Sequence, residues 1–132
     1  WNKMDFASRP QSNIKTLDTT VTMTEKEGNV ELEFIVNGLK NVPVTIELCF
    51  QEGGHITGLT SDAKGNKCLA GESAIYEMEG DQIRFGPGSM TNPVPDNLEG
   101  ERYSTHFGTL KTAGMQVFLT GITPFRHILR FN

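Results

Sequence analysis

The run Arg102-Tyr103-Ser104-Thr105-His106 gathers within a few positions the side chains needed to abstract a proton beside a carboxylate. In an extended conformation Arg102, Ser104 and His106 share one face, while Tyr103 and Thr105 share the other. A guanidinium holds a carboxylate through two parallel hydrogen bonds, and an imidazole moves protons near neutral pH. β-Elimination on a polysaccharide uses such parts: a cation neutralises the uronate carboxylate, and a Tyr or His base removes the C5 proton. The plainer reading is a strand edge with Tyr103 packed inward. A glycan can also be held without chemistry, on flat aromatic rings that meet the apolar faces of sugars. Trp1 and Tyr103 are the candidate platforms, because Phe34, Phe50, Phe118 and Phe131 fall into strand patterns and read as core. Arg102, Tyr103, His106 and Trp1 are therefore the candidate ligand-binding residues, and the first three are also the catalytic candidates.

Other chemistry has no foothold in the pattern. The sequence contains no HExxH, P-loop, CxxC, EF-hand loop or GxSxG elbow. Gly86-Pro87-Gly88 does not continue into a dinucleotide fingerprint. His55, His106 and His127 are scattered, without the HxH spacing that puts two ligands on one strand, so neither metal nor cofactor is expected. His127 alternates with Phe125, Leu129 and Phe131 and reads as a hydrogen-bonded core residue, while His55 follows Gly53-Gly54 and reads as an exposed turn residue.

The elements that must position these residues are strands. Val30, Leu32, Phe34 and Val36 alternate with polar residues, and Val42, Val44, Ile46, Leu48 and Phe50 repeat the pattern. A period of two marks a half-buried strand, because successive side chains point to opposite faces. Further strands are expected at Val21–Thr24, Ala74–Glu79, Gln82–Phe85, Met115–Gly121 and Phe125–Phe131. Gly80-Asp81 is expected to form a type II′ hairpin turn, Glu27-Gly28-Asn29 precedes the Val30 strand, and Thr123-Pro124 separates the last two strands. Fourteen threonines add β-branched weight. The expected architecture is all-β: one domain over residues 1–132, an antiparallel β-sandwich or jelly roll of about nine to ten short strands. Residues 1–13 read as a linker or an edge strand. Residues 86–102, with Pro87, Pro93 and Pro95, read as a long surface loop rather than a strand.

Composition bounds the partners. The chain has 132 residues, 36% hydrophobic and 21% charged, with a net charge of −4. No apolar run approaches the ~18–20 residues that cross a bilayer as a helix, and no basic cluster offers a face to phosphates. Nucleic acid and membrane insertion are therefore not expected. The net charge disfavours strongly anionic glycans, unless a patch around Arg102, Arg126 and Arg130 overrides it. Cys49 and Cys68 lie 19 positions apart. A bridge between them would contribute roughly 3 kcal/mol, and two buried thiols are the equal alternative. The chain starts at Trp1 and reads as a processed or excised piece.

The runs YEMEGDQIRFGPG and FLTGITPFRHILRFN resemble the closing β-sandwich of bacterial polysaccharide-degrading proteins. The nearest comparison is the C-terminal β-sheet domain of heparinase II/III-like lyases and related multidomain proteins. The resemblance covers residues 70–132 and rests on strand and turn character, with no catalytic motif. In that family the principal catalytic residues lie largely in an α-helical toroid and a central β domain, and this chain has no toroid sequence. The resemblance implies a non-catalytic accessory module of a carbohydrate-processing protein, secreted or periplasmic, that packs on an adjacent catalytic domain or helps bind a polysaccharide. Its expected contact surface is the 86–106 region. A small polysaccharide lyase, or a protein-interaction or adhesion domain using an exposed sheet edge, are the alternatives.

Overall fold

A computed structural model describes residues 16–95 and 114–132. Those residues contain no helix and form ten strands: β1 Leu17–Lys26, β2 Asn29–Gly38, β3 Pro43–Phe50, β4 His55–Thr57, β5 Thr60–Ser61, β6 Lys67–Cys68, β7 Ala74–Met78, β8 Asp81–Gly86, β9 Met115–Ile122 and β10 Phe125–Phe131. They assemble into a six-stranded sheet, ordered β1-β2-β10-β8-β7-β4, and a four-stranded sheet, ordered β3-β9-β6-β5. All pairings between named strands are antiparallel except β6 with β9.

Alternation decides what lies between the sheets. Phe34 of β2, Ala74 and Tyr76 of β7, Phe85 of β8 and Leu129 of β10 meet Leu69, Val117 and Leu119 from the smaller sheet and its flank in one buried cluster. Ile46, Leu48 and Phe50 pack on it from β3. The result is a β-sandwich, as the period-two pattern predicts. Every buried side-chain nitrogen and oxygen among the described residues has a hydrogen-bond partner, which keeps the desolvation cost of such groups from accumulating.

One turn differs from expectation in kind. Met78 pairs with Asp81, so the β7–β8 loop is Glu79-Gly80, with φ of 54° and 93°. Glu27-Gly28 repeats this between β1 and β2, with φ of 54° and 81°. Positive φ at both central positions is the type I′ turn, whose twist matches that of the flanking strands. It displaces the type II′ turn expected at Gly80-Asp81, because Gly takes the second loop position and Asp81 enters the ladder.

The described part of the proline-rich segment, residues 87–95, contains no strand, as expected of a loop, but it does not lie wholly at the surface. Within its described part, Ser89 and Met90 run beside β9: Thr120 donates its amide to the Ser89 carbonyl at 2.8 Å, and Met90 bridges to Thr120 in parallel. Val94 is buried with Met90, Cys68 and Phe118 in a second cluster, on the far side of the smaller sheet. Prolines cannot donate to a ladder, yet the residues between them can pair and pack. Phe118 supplies the driving force, since its ring points away from the main core and needs cover.

Neither cysteine is in a disulfide; Cys49 is exposed and Cys68 buried. Cys49 pairs with Gln116 and Cys68 with Phe118, so β9 runs between them. Two strand spacings separate their backbones by about 9–10 Å, beyond the ~7 Å limit for a disulfide. Burial, with the Asp62 carboxylate nearby, pushes the Cys68 thiol above its usual range. Thiol titration of the native protein is expected to label Cys49 quickly and Cys68 only after unfolding. Failure of both thiols to react in denaturant, restored by reductant, would contradict this arrangement.

Candidate functional site

Arg102, Tyr103, His106 and Trp1 lie outside the described residues, as does the part of the 86–106 surface beyond residue 95. Two further histidines are placed. His127 is half-buried on the core-facing side of β10, its Nε2 2.8 Å from the Pro87 carbonyl and its ring stacked on Phe125. His55 is exposed at the start of β4, opposite Glu77, so it opens a strand rather than sitting in the turn. Two strands separate β4 from β10, and the two rings lie on opposite faces of the sheet. They do not form a common site. No group of three or more His, Cys, Asp or Glu side chains among the described residues could hold a metal ion, and no helix there is long and apolar enough to cross a membrane.

Arg126 and Arg130 stand on the outer face of β10, but each is already engaged. Arg130 lies directly opposite Glu31 and donates from Nε to its Oε2 at 2.9 Å. Arg126 reaches diagonally to Glu33, donating from Nε to Oε1 at 2.6 Å. Exposed pairs of this kind contribute little to stability, about 0–1 kcal/mol each. Their effect on recognition is larger, because each guanidinium faces a carboxylate before any ligand arrives. The anion-binding patch considered for Arg102, Arg126 and Arg130 is thus neutralised at two of its three positions.

The same register builds a groove of about 390 Å³ at one end of the six-stranded sheet. One wall is the β1–β2 hairpin, with Thr24, Lys26 and Asn29; the floor and the other wall come from Glu31, Arg130, Phe131 and Asn132. Both sides are held. Gly28 donates its amide to Glu25 Oε1 at 3.0 Å, which tightens the hairpin tip. The amides of Arg84 and Asn132 each donate to the other's carbonyl, at 2.8 and 2.9 Å, which ties the strand end to β8. Lys26 and Arg130 are matched in number by Glu27 and Glu31, so the lining is charge-balanced. Planar amide, carboxylate and guanidinium groups present donors and acceptors at fixed angles, the kind of surface that matches hydroxyl groups.

Sequence reasoning missed this groove because its walls are about a hundred residues apart in the chain. One signal was present: Glu31 and Glu33 on one strand match Arg126 and Arg130 on another, which points to β2–β10 pairing. Comparison with protein-family models, with curated proteins and with solved structures returns no match.

Proposed function

We propose that the chain is a non-catalytic accessory module of a carbohydrate-processing protein, and that the groove beside Arg130 helps hold a neutral glycan. The observation that carries this reading is the charge balance of that groove: it offers polar, planar partners without the surplus of cations that a uronate or sulfate demands. The secreted or periplasmic setting, beside a catalytic domain, is what the resemblance of residues 70–132 implies and is part of the same proposal.

The test is a glycan array probed with the chain, read both for retention and for unsaturated product by ultraviolet absorbance. Retention of neutral oligosaccharides without product is expected. Asn29→Ala and Arg130→Ala are each expected to weaken it roughly tenfold, the worth of one or two hydrogen bonds. Retention indifferent to both substitutions would move the site elsewhere. Unsaturated product would replace this reading with a lyase, making Arg102, Tyr103 and His106 the residues to mutate.

A further inference from the structure

β1 is an edge strand with every described feature of an unprotected one. All ten of its residues are exposed, and its ladder with β2 runs without a bulge from Leu17 opposite Gly38 to Lys26 opposite Asn29. The other sheet edges are blunted. β4 and β5 have three and two residues, while β3 opens on Pro43 and carries Glu47 in its middle. Short strands, prolines and mid-strand charges are the usual guards against strand addition. Thr19–Thr24 of β1 contains no proline, glycine or charge. On the face that continues the core, Val21 and Met23 are 53% and 71% exposed, because the smaller sheet does not extend over them.

We propose that this edge pairs antiparallel with β1 of a second copy of the chain, in the register centred on Thr22, joining two six-stranded sheets. The choice of partner and register rests on charge complementarity. With Thr22 opposite Thr22, Asp18 of each copy faces Lys26 of the other, Thr20 faces Thr24, and Val21 faces Met23. Directly opposed residues point to the same face of a sheet, so both charge pairs lie on the outer face and the Val and Met side chains gather on the core-facing side. Centring on Val21 instead puts Asp18 opposite Thr24, and centring on Met23 puts Lys26 opposite Thr20. Those registers leave both charges unmatched. The two-fold arrangement is isologous and closes on itself, so it stops at two copies. It shares Thr24 and Lys26 with the groove wall, and places the two grooves at opposite ends of the seam.

Sedimentation of the full chain over a wide concentration range reads the outcome directly. A doubled mass is expected. Asp18→Lys creates two Lys–Lys contacts and is expected to weaken the dimer roughly tenfold. Adding Lys26→Asp to it reverses both partners and restores the dimer. Both positions are exposed, so circular dichroism of the variants is expected to match the unsubstituted chain. A monomer at every concentration overturns the proposal, as does a dimer indifferent to Asp18→Lys. Hydrogen exchange separates a further case: a monomer with protected β1 amides would assign the edge to residues 1–15 of the same chain.

Discussion

Phe85→Ala is expected to cost about 3–5 kcal/mol, measured as a lowered denaturation midpoint with the slope unchanged. The ring is fully buried in β8, with the Phe50 ring centroid 4.7 Å away and Phe131 stacked at 6.0 Å. Phe50 belongs to the smaller sheet and Phe131 to the larger, so Phe85 is where the two layers touch. Truncation removes apolar contact from both sides and leaves a void that β-sheets, braced by their ladders, close poorly. Domains of this size are stable by about 5–15 kcal/mol, so the loss is a large share of the whole. Phe85→Leu keeps most of the volume and is expected to lose about half as much. A loss below about 1 kcal/mol for Phe85→Ala would mean that the ring is not at the centre of the sandwich.

The second large effect is expected at Gly88, where Gly88→Ala removes nothing and adds one methyl group. A Cβ built there would stand 2.0 Å from the Leu69 carbonyl oxygen and 2.4 Å from its carbon. Both are backbone atoms, so no rotamer change relieves the clash. Gly88 also donates its amide to the Gly71 carbonyl at 2.8 Å, and moving the segment outward breaks that bond. The displacement propagates to Ser89 and Met90 on β9 and to Val94 over Phe118. The expected cost is about 3 kcal/mol or more, with increased thiol reactivity of Cys68 as a local sign, since Val94 and Cys68 share one buried cluster. Gly65→Ala serves as a contrast: its Cβ would meet nothing, and only its φ of +85° disfavours the change. A loss at Gly88 no larger than at Gly65 would show that the segment moves away from the Leu69 carbonyl at little cost.

Much of the sandwich was legible because burial on one face writes itself into alternate positions. Val30 to Val36, Val42 to Phe50 and Phe125 to Phe131 alternate cleanly and became most of β2, all of β3 and β10. His127 was also readable: the residues two positions to either side, on the same face, are Phe125 and Leu129, and the Pro87 carbonyl lies 2.8 Å from its ring. The covered outer face of the smaller sheet was written too, in Val117-Phe118-Leu119, a run apolar at consecutive positions. Such a run belongs to a strand buried on both sides, and it called for a cover that the prolines of residues 87–95 disguised. The two Glu-Gly turns were harder to read, because which residue leaves the ladder depends on strand register rather than on the turn residues alone.

The groove was not legible in the same way. Asn29 and Asn132 carry no motif, and their nearness follows from the order of strands in the sheet, which local patterning does not encode. Arg126 and Arg130 illustrate the point from the other side. Read along the chain they form part of a basic patch, and read across the sheet they are two halves of ion pairs with Glu33 and Glu31.

The position of β10 has a consequence for how the protein is made. It is the sole join between the β1–β2 hairpin and the β8-β7-β4 half of the larger sheet. A ribosome delivers both halves well before Phe125, so until residues 125–131 emerge the nascent chain carries two open edges, on β2 and on β8. Open edges of incompletely paired sheets are what chaperones shield and what aggregates recruit. Synthesis that stalls before Phe125 therefore leaves the larger sheet as two unjoined halves, and the arrival of β10 closes both open edges in one step.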